Sequence, residues 1–214
     1  LNNTFHLSLD DVGSVLFSEK ESGISPLSNF INYTHHEYNC IWRLNFFTKW
    51  DGGNVFDCDI GELINKEAGF IGGHSPDKHT KPYELSFAEN QKWILEFYRA
   101  VNSYDVNLSR IVRFHYYSEL FECAPLLKSL GIEGMFLTDR PEICYHLPDK
   151  EKKILKKRGT VNFQGLDLYR THFRLEWVKE LHPSRNDLIN LFSSHANKST
   201  PLVIYGHEYE FRDP

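Results

Sequence analysis

Short apolar runs with strand character alternate along the chain with longer stretches of helical period. That order is expected of a parallel sheet with crossover helices. Phe5-His6-Leu7-Ser8-Leu9 predicts a first strand, Pro26 to Asn39 a helix, and Ile41 to Phe47 a second strand closed by Gly52-Gly53. Residues 57–68 read as a short helix ending at Gly69, ahead of a third strand Phe70-Ile71-Gly72-Gly73. From Ser86 to Asn102 the positions Phe87, Trp93, Ile94, Phe97, Tyr98 and Val101 follow a helical period, with Glu84, Glu89, Gln91 and Lys92 turned to water. Ile111 to Tyr116 predicts strand four, residues 119–130 a helix stopped by Gly131, and Met135 to Thr138 strand five. The stretch from Ile143 to Gly165 fits no further β/α unit and is expected as an irregular excursion or hairpin. Strands return at Leu166 to Phe173 and Leu202 to Tyr205, with a helix at Arg185 to His195 between them.

With 214 residues, 41% hydrophobic and 25% charged, the chain has globular proportions and room for a substantial core. The absence of repeats or linkers predicts a single α/β domain over 1–214. A net charge of −5 offers no face for nucleic acid, and the basic run Lys150 to Arg158 is broken by Ile154 and Leu155, as on a solvated helix. Cys40, Cys58, Cys123 and Cys144 stand far apart with no CxxC pair, which favours a reduced setting. No run approaches the ~18 apolar residues of a membrane span and no signal peptide is visible, so the expected location is cytoplasmic. Oligomeric state is not legible.

Candidate chemistry sits just after the strands, where an α/β barrel builds its active site: Asp10-Asp11, His74, His115, Asp139-Arg140 and His207. The Asp pair has a plain alternative, as caps of a helix starting at Val12. Paired carboxylates with histidines downstream instead suggest a hydrolytic metal site. His74 and His79 share a loop that can bend two imidazoles onto one ion. In Arg113-Phe114-His115-Tyr116 the strand period puts Arg113 and His115 on one face, and an inward arginine needs a carboxylate such as Asp10. Gly206-His207 follows an apolar strand, where a histidine can protonate a leaving group, oriented by Glu208 or Glu210.

Taken in order, Ser8-Leu9-Asp10-Asp11, Gly73-His74 to His79, Arg113 to Tyr116 and Ile204-Tyr205-Gly206-His207 resemble the motifs of the NodB-homology polysaccharide deacetylases. They are most similar to the divergent WbmS-like group of bacterial surface-polysaccharide clusters, including O-antigen clusters. The resemblance spans residues 5 to 210 and implies a distorted (β/α) barrel with a divalent metal, Zn²⁺ foremost. It implies Asp10 as catalytic base, Asp11 and His74 as metal ligands, Arg113 as the group holding Asp10 ionised, and His207 as general acid. A Tyr116 backbone N–H would assist the oxyanion. The implied reaction is removal of an N-acyl group, acetyl foremost, from a sugar of a surface glycan or its precursor. Three departures stand out. His74 and His79 are five residues apart where the family has four, so either His79 or His115 is the third ligand. His115 replaces the family's proline. The fourth motif has no clear counterpart, though Asp139-Arg140 or Arg170 to Arg174 occupies its place. A barrel that binds a glycan without hydrolysing it is the alternative.

Overall fold

A computed structural model describes residues 5–13, 26–51, 53–57, 60, 64, 66–196 and 201–207. Strand β1 spans Phe5–Val12, α1 Pro26–Tyr38 and β2 Trp42–Phe47. A small hairpin of β3 (Lys49–Trp50) and β4 (Gly53–Asn54) follows. The helix expected over 57–68 lies largely outside the described residues, although Ile60 and Ile64 are buried. Next come β5 (Gly69–Ser75) and α2 (Phe87–Val101). Helix α2 starts at a capping box, in which Ser86 Oγ accepts from Glu89 N–H at 3.3 Å and Glu89 Oε2 accepts from Ser86 N–H at 2.8 Å. Its apolar stripe then buries Trp93, Ile94, Phe97, Tyr98 and Val101.

The second half carries β6 (Asn107–Leu108), β7 (Ile111–Val112), α3 (Ala124–Ser129) and β8 (Gly134–Leu137). Helix α4 (Asp149–Arg158) and strands β9 (Thr160–Phe163), β10 (Leu166–Arg170) and β11 (Phe173–Arg174) follow. The chain continues through α5 (Glu176–Leu181) and α6 (Arg185–Ala196) to β12 (Leu202–His207). The expected excursion thus resolves into the basic helix α4, which buries Leu155 and ends at left-handed Gly159, and an antiparallel β9–β10 hairpin. Among the described residues no helix is long and apolar enough to cross a membrane.

The fold is mixed α/β with a parallel sheet. Six strands pair in the order β11-β12-β1-β2-β5-β6, all parallel. Four more pair as β7-β8-β10-β9, where β7–β8 and β8–β10 are parallel. The chain passes between these sheets twice. At Ser109 the backbone N–H donates to the Ile71 carbonyl at 2.8 Å. At the second crossing Thr171 N–H reaches Leu137 at 3.2 Å and His172 N–H reaches Val203 at 2.9 Å.

Two departures from the expected elements shape the site. Strand β1 runs on through Val12 rather than yielding to a helix there, and its pairing with β2 shifts register between Leu9 and Val12, where Asp11 takes φ 59°. A bulge of this kind re-aims a side chain that the strand alternation would send to the opposite face. Strand four ends early, at Val112. Arg113 and Phe114 follow outside the ladder, Phe114 with extended backbone, and Tyr116 and Tyr117 then turn into left-handed backbone at φ 55° and 54°. Arg113 and His115 therefore reach the site from an extended stub and a tight turn, not from one strand face.

Candidate metal centre

Asp10 lies where β1 runs beside β12, in register with His207, and is 3% exposed. Its Oδ2 accepts from Arg113 Nη1 at 3.0 Å and its Oδ1 from Asn45 Nδ2 at 2.8 Å. Arg113, 1% exposed, also donates to Ser8 Oγ at 3.0 Å and to Thr171 Oγ1 at 2.8 Å, and its guanidinium carbon sits 4.1 Å from the Tyr205 ring centroid. Asn45 completes a loop of bonds by accepting the Arg113 backbone N–H at 3.1 Å. This approach requires Gly72, since a Cβ there would stand 2.8 Å from Val112 Cγ1 and 3.2 Å from Asn45 Oδ1. A buried ion pair is weak evidence for stability. At the edge of a cleft, the pair fixes the orientation of the Asp10 carboxyl group.

Asp11 faces the histidines. Its Oδ1 is 3.0 Å from His74 Nε2 and 3.7 Å from His115 Nε2. The other nitrogen of each ring is tied to a main-chain carbonyl: His74 Nδ1 to Arg113 at 2.5 Å and His115 Nδ1 to Thr80 at 3.0 Å. A carbonyl can only accept, so each Nδ1 carries a proton, and each ring turns its Nε2 toward the carboxylate. Burial first, then the charge of His74, pushes His115 down to about 4, so it is neutral near pH 7. Burial opposes the charge of Asp11, but the hydrogen bond from His74 and the charges of His74, His207 and His115 hold its carboxyl below the usual range. Asp11, His74 and His115 thus converge, with ligand atoms all within 4.8 Å of one another. Such a set can hold a cation, and carbonyl-anchored imidazoles are the ordinary support of a metal site. Phe47 wedges edge-on against both rings, at 5.2 Å from His74 and 5.1 Å from His115.

These residues open on a cleft of about 220 Å³, whose far wall carries Arg174, Glu176, Tyr205 and His207. His207 Nδ1 is 3.5 Å from Glu176 Oε1, and Tyr205 Oη donates to the same oxygen at 3.4 Å. Arg174 binds Asp139 Oδ1 at 2.5 Å and approaches Glu176 at 3.9 Å. Burial works against the Arg174 charge, yet the Asp139 hydrogen bond together with the charges of Tyr117, Tyr205 and Asp139 outweighs it and raises the pKa.

The structure brings together Asp10, Asp11, His74, Arg113, Tyr116, His115 and His207 around this cleft. It leaves His79 exposed on its loop, where the backbone N–H is capped by Asp77 Oδ1 at 2.8 Å. Of the two candidates for the third ligand, His79 stands apart from the cluster on a turn that Asp77 closes on itself, and His115 lies 3.7 Å from Asp11. The orienting carboxylates expected at Glu208 and Glu210 lie outside the described residues, and Glu176 stands beside His207 instead. Sequence reading missed Glu176, Asn45 and Phe47. Of these, only Asn45 carried a signal, as the one amide inside the otherwise apolar end of β2.

No protein-family model and no curated protein matches the chain. Among solved structures it is similar to 4-α-glucanotransferase from Thermococcus litoralis, with a TM-score of 0.57 and 12% sequence identity. The match covers 97% of this chain and 33% of that one, so the chain spans about a third of that protein's length. At this identity the similarity is one of fold.

Proposed function

We propose that the chain is a metal-dependent amide hydrolase that removes an N-acyl group, acetyl foremost, from a sugar of a surface glycan or its precursor. The observation that carries the reading is the convergence of two carbonyl-anchored imidazoles on Asp11, beside a second carboxylate held by a buried arginine. The two crossings between sheets, hydrogen-bonded on both sides, support a distorted (β/α) barrel as the scaffold.

Asp11, His74 and His115 would hold the ion; Zn²⁺ suits this set, and Fe, Co, Ni or Mn would also be accepted. A divalent cation there supplies Lewis acidity toward the acyl carbonyl and lowers the pKa of a water. The rest falls to side chains of this chain. Each oxygen of Asp10 accepts one hydrogen bond and keeps a second lone pair, so Asp10 can take the water's proton while Arg113 and Asn45 hold it ionised and still. The Tyr116 backbone N–H donates to the developing oxyanion. His207, steadied by Glu176, protonates the departing amine.

Release of acetate from N-acetylated sugars by the purified protein tests the reading. Chelation should stop release and Zn²⁺ restore it, whereas Asp10→Asn should abolish it with metal still bound. A metal-loaded protein that binds such sugars and never releases acetate would instead support the binding-only alternative.

A further inference from the structure

Strands β1, β2, β5 and β12 run parallel, so their starts lie together at the end of the sheet away from Asp11 and His74. A cleft of about 990 Å³ opens there. Leu7 of β1 and Ile204 of β12, which are in register, line it together with Phe192 of α6, and Phe192 stands edge-on to Phe5 at 6.3 Å between centroids. Cys40 and Ile41, from the link between α1 and β2, and Phe70 of β5 continue the lining. Asn39 and Arg43 are its polar exceptions, and Phe5, Tyr38 and Ile41 are exposed at the rim. Contiguous apolar surface left open in this way marks a place where a ligand or partner binds.

Arg43 tells which chemistry fits. It is in register with Ser8 and Phe70, so it shares the face of the sheet on which Ser8 Oγ accepts from Arg113. Arg113 has Asp10 for a partner; Arg43 has neither a hydrogen bond nor a carboxylate partner among the described residues. Burial pushes its pKa down. The two titratable groups that feel its charge, His6 and Tyr169, are neutral near pH 7, since burial lowers the pKa of the first and raises that of the second. A guanidinium drawn out of water without an anion is costly, so the cleft holds an apolar surface and one uncompensated positive charge. A carboxylate matches that charge and the planar fork of the guanidinium. A phosphate monoester, with a charge of about −1.5 to −2, would leave part of it unpaired. Arg43 is less exposed than the rim residues, out of reach of a headgroup that stays in a bilayer.

We propose that this cleft binds one long-chain carboxylate, a fatty acid taken up as a monomer, with its head on Arg43 and its chain along Leu7, Ile204 and Phe192. The site uses no residue of the metal centre and stands independently of the hydrolase reading.

The test is calorimetric titration of the whole chain with dodecanoate, decanoate, dodecanol and dodecyl phosphate, each below its micelle-forming concentration. Dodecanoate should bind at one equivalent, on the order of 10-fold more tightly than decanoate, the scale of two buried methylenes. It should also bind on the order of 10-fold or more above dodecanol, the scale of a charged hydrogen bond, and more tightly than dodecyl phosphate. Arg43→Gln should abolish the advantage of dodecanoate over dodecanol and leave dodecanol affinity unchanged. Because Arg43 has no bond to lose, the ligand-free variant should melt no lower than the wild type. No binding of dodecanoate, equal affinity for dodecanol, or an advantage that survives Arg43→Gln overturns the site. Tighter binding of dodecyl phosphate overturns the carboxylate head, and a variant that melts lower shows that Arg43 already has a partner in the fold. Binding to vesicles of anionic phospholipid without binding of monomeric dodecanoate would make the cleft a membrane contact instead, and a dimer dispersed by Ile41→Glu would make it an interface between copies of the chain.

Discussion

Asp10 and Asp11 are neighbours with the same side chain, and the structure gives them opposite partners. Asp10 faces Arg113 and Asn45, while Asp11 faces the Nε2 atoms of His74 and His115. Substitution should separate the two. Asp10→Asn keeps shape and loses basicity, so metal should stay bound at full stoichiometry while turnover falls by two or more orders of magnitude, read by elemental analysis and acetate release. Arg113→Ala leaves Asp10 as an uncompensated buried charge and should cost about 3–5 kcal/mol in urea unfolding. A loss under 1 kcal/mol would mean that the pair is hydrated. At this scale the Asp pair, His74, Arg113 and His207 were legible, because strand-end position and residue type alone single them out. Glu176 was not. Nothing in Arg174-Leu175-Glu176 distinguishes it from a surface carboxylate until β11 is laid beside β12.

Elements were legible where periodicity alone decides them, as for α2 with its capping box, and less so where local geometry breaks the pattern. The left-handed Asp11 and the pair Tyr116 and Tyr117 are bulky, non-glycine residues at positive φ, and no composition rule marks them. They nonetheless aim Asp11 and the residues beside it into the cleft. Packing between elements gives two checks. Gly72→Ala forces a Cβ against Val112 and Asn45, and should destabilise the fold by about 1–3 kcal/mol while disturbing the Asp10 contact. His6, on β1 between Phe136 and Tyr169, has its Nδ1 buried without a hydrogen-bond partner among the described residues. Burial, then the charge of Arg43, lowers its pKa from 6.5 to about 4. The unfolded chain then binds the extra proton first, so His6 contributes stability that is complete above pH 6.5 and lost as pH falls toward 4. His6→Leu should flatten the acid slope of the thermal midpoint across that window. An unchanged slope would place the titration elsewhere.

For the whole molecule, the parallel alternation was legible as α/β, while the split into two hydrogen-bonded sheets was not, since it depends on where the chain crosses between β6 and β7 and between β10 and β11. The proposed metal site spans these parts. Asp11 comes from β1, His74 from β5, and His115 from the turn after β7, so an ion there ties three separate segments together. Saturating Zn²⁺ at about 100 times its dissociation constant should add about 2.7 kcal/mol to wild-type stability and nothing to Asp11→Ala, as read by thermal unfolding. The central claim is that Asp11, His74 and His115 form this site. It is tested most directly by titrating Zn²⁺ into His115→Ala and His79→Ala beside the wild type. His115→Ala should lose on the order of 10-fold or more in affinity, with His79→Ala matching the wild type. If His79→Ala strips the metal while His115→Ala still binds one equivalent at wild-type affinity, the ligand set drawn from the structure is wrong.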